Sequence, residues 1–403
     1  MSIVRVAFAG SVDDGKSTLF GRLVHDLGAY YRDELEHVIA ASEQRGFART
    51  ELALLTDGLR AEREQGITID VAHRTVHTAR RRLLFADAPG HVEYTRNMVT
   101  AASSADVAVL LVDARRGLTE QSRRHLAIAA LLRVGTLIVC VNKMDRVDFD
   151  EARFTELLEM AKAHVHAVAQ AEYGVSPSVL AVPVSALHGD NVAASSTRTP
   201  YYQGPPLLTL LEEAECSLRD PRGPLRVPVQ WVLRPQSDEH EDYRGYAARI
   251  ARGSLAAGQE IESVRSGRRS RVTTLSAQRP RAVAGDSVVL QLEDDIDLSR
   301  GDVLFFGARP HVRHTLELTA IGLGERAWTS GDSIRLKHGT RTSSGRITAG
   351  EVSPNEQGRL SLQLDEPLAY DAYASDRCFG AAVLIDPTTH ATVAACLLRE
   401  PAS

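Results

Sequence analysis

The chain has 403 residues, of which 43% are hydrophobic and 25% are charged. This length predicts two to four domains, and the composition excludes a mainly disordered protein. The net charge of −5 argues against a DNA-coating protein, so no DNA partner is expected. There is no run of 18 apolar residues and no secretory-signal layout at the N-terminus, so we expect a cytoplasmic protein without a membrane contact.

The four cysteines lie far apart and form no CxxC pair. They are predicted to be reduced thiols, and neither a zinc site nor a disulfide framework is expected. Only four of the 47 basic residues are lysine, and the rest are arginine. Two of the four lysines, Lys16 and Lys143, fall inside the motifs described below.

Apolar runs alternate with helical patterns through the first half of the chain. Strands are predicted over Ile3–Ala9, Ile69–Thr78, Arg82–Ala86, Val107–Val112, Thr136–Val141 and Ser178–Val184, and helices over Lys16–His25, Glu120–Leu132 and Asp150–Ala171. Buried strands separated by helices predict an α/β domain with a mostly parallel sheet and helices on both faces. The polar stretch Asn191–Pro206 is predicted to be a surface loop.

The pattern changes after Leu225, where short alternating runs are separated by glycines. Strands are expected at Tyr246–Ala251, Glu260–Val264 and Ser287–Leu292, and a second break falls near Arg309 and Pro310. This rhythm is typical of small β-barrels. We therefore predict an α/β domain over residues 1–216 and two β-barrel domains over 225–308 and 309–403.

A phosphate-binding loop is predicted between the first strand and the first helix. The segment Gly10-Ser11-Val12-Asp13-Asp14-Gly15-Lys16-Ser17, followed by Thr18, fits the pattern GxxxxGK[ST] in the strand–loop–helix context that this motif requires. The loop's backbone N–H groups and the helix dipole would cradle phosphates. Lys16 would reach the β- and γ-phosphates, and the hydroxyl of Ser17 would bind Mg²⁺.

Two further segments would face the γ-phosphate. Asp87 and Gly90 follow the strand Arg82–Ala86, so Asp87 is predicted to hold Mg²⁺ and the Gly90 N–H to meet the phosphate. Thr68 lies where a switch loop belongs and could complete the Mg²⁺ shell. His91 could position the attacking water, which makes Lys16, Thr68 and His91 the candidate catalytic residues.

The base is predicted from two motifs that end neighbouring strands. Asn142-Lys143-Met144-Asp145 follows one strand, and Ser185-Ala186-Leu187 follows the next. One carboxylate can accept the paired N1–H and N2–H₂ donors of guanine, which adenine lacks, so Asp145 favours GTP over ATP. Asn142 would contact N7 and the phosphate-binding loop, Lys143 would cover the base, and the Ala186 N–H would meet O6.

The remaining polar features are less informative. The histidines show no HExxH motif and no ligand spacing with the cysteines, so a bound transition metal is not expected. The run Arg80–Arg82 could be a nucleic-acid patch, but its place at a predicted hairpin favours a solvated turn.

The order of these motifs, followed by two barrels, resembles the translational GTPase superfamily that includes elongation factor Tu. Longer strings resemble one branch more closely, the large GTPase subunit of bacterial heterodimeric ATP sulfurylase (sulfate adenylyltransferase subunit 1). They are GSVDDGKST (Gly10–Thr18), LLTDGLRAEREQGITIDVAHR (Leu54–Arg74), DAPGHVEYTRNM (Asp87–Met98), TPYYQGPPLL (Thr199–Leu208), PVQWVLRP (Pro228–Pro235), DYRGYAARIARGSL (Asp242–Leu255) and LEDDIDLSRGD (Leu292–Asp302).

The resemblance implies a GTPase that uses GTP and Mg²⁺ and works with a separate small catalytic subunit. That subunit would form adenosine 5′-phosphosulfate (APS) from ATP and sulfate, because this chain has neither an SGGxDS-type nor an HxGH-type motif for the ATP α-phosphate. No second P-loop is present, so no fused adenylyl-sulfate kinase domain is expected. The segment between Leu336–Thr340 and Asn355–Tyr373 is shorter than the family pattern, which predicts a trimmed hairpin in the last barrel.

Two other functions remain open at this point. An elongation-factor-like GTPase that binds aminoacyl-tRNA would share the motifs, although the acidic net charge argues weakly against it. A regulatory GTPase that acts only by binding would also share them. The sequence does not specify whether the activated sulfate would serve cysteine synthesis, general sulfation or a dedicated biosynthetic cluster.

Overall fold

The computed structural model describes residues 3–30, 72–88, 95–175, 177–215, 221–235, 243–276 and 280–401, with individual residues between 33 and 52. The chain divides into two compact units, Met1–Leu218 and Arg219–Ser403. Among the described residues, no helix is long and apolar enough to span a membrane.

The first unit is an α/β domain. Its strands are β1 (Ile3–Gly10), β2 (Ala72–His77), β3 (Arg82–Asp87), β4 (Val107–Asp113), β5 (Thr136–Asn142) and β6 (Val179–Pro183), and its described helices are α1 (Lys16–Asp26), α2 (Thr95–Ser103), α3 (Glu120–Leu131), α4 (Glu151–Tyr173) and α5 (Leu207–Glu213). The sheet has the order β2-β3-β1-β4-β5-β6, and only β2 runs antiparallel to its neighbour. The predicted fold class is confirmed for this unit.

Parallel strands bring their carboxyl ends to one edge of the sheet, where the loops after β1, β3, β4, β5 and β6 meet. β4 is buried along its whole length and β5 along all but its first residue, as their apolar runs predict. Helix α1 packs on the sheet through Phe20, which meets Phe8 and Phe85 edge to face at centroid distances of 5.4 and 5.5 Å. This packing fixes the start of α1 relative to the ends of β1 and β3.

Two described helices were not predicted from the sequence. Helix α2 lies partly within the Asp87–Met98 segment, and α5 follows the segment Asn191–Pro206, which holds turns as expected. Arg80 and Arg81 lie at the β2–β3 hairpin, as predicted. Arg80 is exposed and pairs with Glu213, while Arg81 donates to the Ala214 carbonyl at 2.6 Å, so the hairpin contacts the end of α5.

The second unit is built from β-strands. The strands are β7 (Leu225–Leu233), β8 (Gly245–Arg249), β9 (Ser254–Ala256), β10 (Glu260–Ser263), β11 (Arg269–Ser276), β12 (Arg281–Val283), β13 (Ser287–Leu292), β14 (Val303–Phe306), β15 (His311–Gly322), β16 (Trp328–Thr329), β17 (Ser333–His338), β18 (Arg341–Val352), β19 (Gln357–Tyr370), β20 (Ala381–Ile385) and β21 (Thr392–Leu398). Six of them close a barrel in the order β10-β11-β13-β8-β7-β14. The predicted β-barrel architecture is therefore confirmed.

A second sheet has the order β16-β18-β17-β20-β21-β15-β19, and an additional β18–β19 pairing closes the six strands from β18 to β19 into a ring, with the two-residue β16 at its side. Barrel and ring meet through a small apolar cluster of Val264, Val303, Phe305 and Phe379. The predicted residue limits of the domains, and the trimming of the β18–β19 hairpin relative to the family, stay predictions.

Candidate nucleotide-binding site

The predicted phosphate-binding loop connects β1 to α1 and contains a glycine that cannot be replaced without strain. Gly15 has φ of +89°, and a Cβ built there would lie 2.4 Å from Asn142 Nδ2. Helix α1 begins at Lys16 with no side-chain cap and no acidic residue in its first turn. Its first N–H groups therefore keep the positive end of the helix dipole available to an anion.

Lys16 and Asp87 form a buried ion pair at this loop. The Lys16 ammonium lies 2.8 Å from Asp87 Oδ1, and their side chains are only 7% and 3% exposed. The two residues come together because β1 pairs with β3 in a register that sets Phe8 opposite Asp87. Ser17 and Thr18 follow in the first turn of α1, whereas Thr68, Gly90 and His91 lie outside the described residues.

Asn142 ties three loops together at the edge of the sheet. Its Nδ2 donates to the Asp14 carbonyl at 2.8 Å, and its Oδ1 accepts the Ala186 N–H at 3.0 Å. The side chain is buried, so both bonds form away from water. The expected tie between Asn142 and the phosphate-binding loop is thus present, while the Ala186 N–H expected for O6 is bonded to Asn142 in this structure.

Lys143 adopts a left-handed backbone conformation, with φ of +62°. Its ammonium contacts the Asp13 carbonyl and lies 3.0 Å from Asp113 Oδ2. The contact with the carbonyl links the second motif to the phosphate-binding loop at a second point.

Asp113 is a site residue that the sequence analysis missed. Burial acts to raise the pKa of this carboxyl, but hydrogen bonds from Arg115 and Lys143 outweigh it and hold the pKa below its usual range. Arg115 supplies a two-point contact at 3.1 and 2.7 Å. The sequence shows only that charged residues close the apolar run Val107–Val112, which does not identify their partners.

Asp145 lies at the end of the site that is predicted to bind the base. Ser185 Oγ donates to Asp145 Oδ1 at 2.6 Å, and the Asp145 side chain is 13% exposed. Arg146 and His188 approach Oδ2 at 3.6 and 4.0 Å. The carboxylate is therefore oriented from one side by a hydroxyl, while Leu187 of the same loop is exposed.

Three hydroxyl groups join the phosphate-binding loop to helix α3. Ser11 Oγ lies 2.8 Å from Thr119 Oγ1 and 3.2 Å from Ser122 Oγ, and the latter two are 2.8 Å apart. Thr119 is also the N-cap of α3, since its side chain accepts the Ser122 N–H. The motif places Ser11 in the loop, but it does not indicate this contact, because Thr119 lies 108 residues away in the sequence.

Asp14 is a carboxyl group buried inside the phosphate-binding loop. Oδ2 accepts the Ser11 N–H at 2.9 Å, whereas Oδ1 is buried without a hydrogen-bond partner among the described residues. Burial raises its pKa to about 6, against smaller lowering effects from the Ser11 N–H and Arg116.

A glycine loop between a buried strand and an uncapped helix, with Lys16 at the helix start and Asp87 at the neighbouring strand end, defines a P-loop nucleotide-binding domain. Comparison with known proteins agrees, because the family model of the elongation factor Tu GTP binding domain matches residues 1–219.

The chain is 42% identical to the bifunctional enzyme CysN/CysC of Mycobacterium tuberculosis (strain H37Rv), an alignment that covers all of this chain and 68% of that protein. It is 41% identical to sulfate adenylyltransferase subunit 1 of Aeromonas hydrophila, over 99% of this chain and 86% of that protein. It also aligns with the crystal structure of a bacterial selenocysteine-specific elongation factor, EF-Sec, at 21% identity and a TM-score of 0.46, over 99% and 58% of the two chains. The chain therefore belongs to the sulfate adenylyltransferase subunit 1 family, within the GTPases that carry the elongation factor Tu type of GTP-binding domain.

Proposed function

We propose that this chain is the GTP-hydrolysing subunit of a sulfate adenylyltransferase. A separate small catalytic subunit would convert ATP and sulfate to APS and pyrophosphate, and this chain would couple that reaction to the hydrolysis of GTP to GDP and phosphate. The observation that carries the proposal is identity of about 41% over nearly the whole chain to proteins named sulfate adenylyltransferase subunit 1. An aminoacyl-tRNA-binding translation factor is not favoured by these relatives.

The phosphate end of the site is formed by Gly10–Thr18 and Asp87. The backbone N–H groups of the loop and of the first turn of α1 would hold the β-phosphate, and the Lys16 ammonium would neutralise the β- and γ-phosphates. A phosphate would compete with the Asp87 carboxylate for that ammonium, since the two groups are paired at 2.8 Å.

Mg²⁺ fits the donor chemistry at this end. Ser17 and Asp87 offer a hydroxyl and a carboxylate oxygen, which are ligands that Mg²⁺ prefers, and phosphate oxygens usually complete its shell. Among the described residues, no group of three or more His, Cys, Asp or Glu side chains could hold a metal ion. When bound, the ion would offset negative charge on the phosphates. Thr68 is proposed as a further ligand from the motif.

The base end is formed by Asn142, Lys143, Asp145 and the loop Ser185–Leu187. Asp145 would accept both guanine protons on the edge that Ser185 leaves open, and adenine would leave this partly buried carboxylate unpaired. The Lys143 stem would cover the base while its ammonium stays on Asp13 and Asp113.

Coupling requires that the nucleotide state changes the partner's affinity or conformation. Thr68 would respond to the γ-phosphate, and His91 would orient the attacking water from its place beside Gly90. Because equilibrium coupling is reciprocal, a partner that binds the GTP state more tightly must also raise the affinity for GTP by the same factor.

The test is APS formation by the two purified subunits with ATP and sulfate, in the presence of GTP, GDP or a non-hydrolysable GTP analogue. We expect GTP to raise the APS yield well above the GDP level, and Thr68→Ala to remove that gain while the complex still forms. Thr75→Ala, at an exposed position on β2, is the matched control and should keep the gain. An APS yield that is independent of the guanine nucleotide would contradict the proposal, and failure of any small subunit to bind would favour the translation-factor alternative.

A further inference from the structure

Arg22 connects the helix that begins at the phosphate-binding loop to the loop at the base end. It lies on α1, and its half-buried guanidinium donates from Nε to the Ala186 carbonyl at 3.2 Å and from Nη2 to the Leu187 carbonyl at 2.7 Å. Asp26, one turn further along α1, lies 3.6 Å from Nη1. The planar guanidinium group of Arg22 therefore holds two neighbouring carbonyls of one loop.

The loop is held from the opposite side as well. Asn142 Oδ1 accepts the Ala186 N–H at 3.0 Å, so Ala186 is bonded at its N–H by Asn142 and at its C=O by Arg22. Gly189 closes the turn with φ of +83° and an N–H bond to the Ser185 carbonyl at 2.7 Å. The loop thus has fixed bonds at three successive peptide groups.

These bonds continue to the carboxylate that would select guanine. The peptide group between Leu187 and His188 is planar, so fixing its carbonyl on Arg22 directs its N–H the opposite way. That N–H donates to Ser185 Oγ at 3.3 Å, and Ser185 Oγ in turn donates to Asp145 Oδ1 at 2.6 Å. One hydrogen-bonded path therefore runs from Arg22 to Asp145.

We propose that Arg22 is a positioning residue for guanine recognition, acting through Leu187, Ser185 and Asp145; this rests on the proposed GTP-binding function. The side chain acts on the loop from α1, the helix that also carries Lys16. Its removal would leave the bonds of Asn142 and Gly189 in place but release the Ala186 and Leu187 carbonyls, so the Leu187–His188 peptide could turn and Asp145 would hold the guanine 2-amino group less well. The contacts to phosphate would remain, because Lys16 and the backbone of the phosphate-binding loop are unchanged.

The experiment compares three diphosphates on the full chain: GDP, IDP, which lacks the 2-amino group, and ADP. Arg22→Met keeps the aliphatic stem but removes the donors, and it should lower the ratio of GDP to IDP affinity by about tenfold, the lower end of the value of a hydrogen bond to a charged group, because Asp145 itself is still present. Arg22→Lys can satisfy only one carbonyl and should restore the ratio in part. Asp26→Asn removes only the ion pair on α1 and should leave the ratio as in the unmodified chain.

The outcomes separate the inference from the proposed function. If Arg22→Met and Arg22→Lys both weaken GDP and IDP by one common factor, or change neither, Arg22 does not act on guanine recognition and the inference is wrong. If the unmodified chain binds ADP as tightly as GDP, the GTP-binding function itself fails. Should Arg22→Met unfold at a lower temperature, Arg22→Lys alone still decides the matter through its GDP to IDP ratio.

Discussion

Two buried ion pairs of similar length lie in different regions of the molecule. Lys16 and Asp87 are 2.8 Å apart at the carboxyl edge of the α/β sheet. Arg226 and Asp371, in the second unit, are joined by two bonds of 2.8 and 2.9 Å where the closed barrel meets the ring of strands. Both pairs are at least nine-tenths buried, with side-chain exposures of 7% and 3% against 2% and 10%.

The difference lies in what surrounds each cation. All three nitrogen atoms of the Arg226 guanidinium donate to groups of the protein, since Nη1 also bonds the Leu225 carbonyl at 3.0 Å. A guanidinium that binds a carboxylate through two parallel bonds has a fixed geometry. Lys16 is a compact charge that stands at an uncapped helix start beside a glycine loop. Burial and pairing therefore do not by themselves identify a functional charge. The uncapped helix start and the glycine loop around Lys16 make the distinction.

The largest expected effect comes from Arg226→Met, which leaves Asp371 buried without its cation. Breaking a buried pair in this way costs about 3–5 kcal/mol, so the free energy of unfolding of the second unit should fall by that amount. Chemical denaturation followed by tryptophan fluorescence measures it, because Trp231 and Trp328 both lie in this unit. The GDP affinity should not change.

The double variant Arg226→Met with Asp371→Leu is the control. Replacing both charges by apolar side chains should recover most of the lost stability. If GDP affinity falls in either variant, the Arg226–Asp371 pair is more than structural and the comparison breaks down.

Asp14 adds a third buried charge to the comparison, one without a cation paired to it in the described part of the chain. Its Oδ1 has no hydrogen-bond partner among the described residues. Its pKa of about 6 lies above the ordinary 3.8, so the folded state binds the proton more strongly than the unfolded chain. The charge therefore lowers stability above pH 6, by about 3 kcal/mol at most, and this cost disappears as the pH falls from 6 towards 4.

Asp14→Asn removes the charge and keeps an oxygen for the Ser11 N–H. The stability difference between the variant and the unmodified chain should be most in favour of asparagine at pH 8 and should shrink as the pH is lowered to 5. Urea denaturation at a series of pH values measures this. A difference that is constant with pH would show that this carboxyl has the same pKa in the folded and the unfolded chain, which contradicts the raised pKa.

The third prediction concerns the Lys16–Asp87 ion pair. Lys16→Met should lower the affinity for GDP by about 10- to 100-fold, the value of a hydrogen bond to a charged group, whereas Arg226→Met should not. Lys16→Arg keeps the charge but presents a larger planar fork, so it should not restore full affinity. Isothermal titration with GDP and Mg²⁺ gives both values, and unchanged binding in Lys16→Met would remove Lys16 from the phosphate site.

The regular elements were largely predictable because their sequence signal is local. The apolar runs placed β1, β4, β5 and β6 within a residue or two of their observed limits, and β13 was predicted with its limits unchanged. Helix α2 is only nine residues long, and apart from Met98 and Val99 its buried face consists of small residues, so the apolar pattern is short and weak in the sequence. Helix α5 is only seven residues long, too short for a periodic pattern.

The site was predictable where a motif fixes both residue type and spacing. Asn142, Lys143 and Asp145 lie together with Ser185 and Ala186 as the strand order implies. Asp113, Thr119 and Arg22 were not found, because each acts through contacts with residues far away in the sequence. Their chemistry depends on which loops the sheet brings together, and no local pattern encodes it.

The smallest expected effect tests whether the three hydroxyl groups of Ser11, Thr119 and Ser122 belong to the nucleotide-binding site. Thr119→Ala removes the N-cap of α3 and also the 2.8 Å contact with Ser11 Oγ in the phosphate-binding loop. The loss of the cap should cost about 1 kcal/mol of stability. Asp150→Ala is the matched control, since Asp150 caps α4 through the Ala152 N–H at 2.9 Å and, among the described residues, makes no hydrogen bond to the phosphate-binding loop.

Both variants should therefore lose similar stability, measured as the shift in the urea midpoint. Only Thr119→Ala should also weaken GDP binding, by a few-fold, because Ser11 then keeps only the longer 3.2 Å contact with Ser122 to hold the loop against α3. Thr119→Ser keeps the hydroxyl and should retain both properties. If Thr119→Ala and Asp150→Ala bind GDP equally well, the cluster only caps the helix, and the phosphate-binding loop and the start of α1 position the phosphates without it.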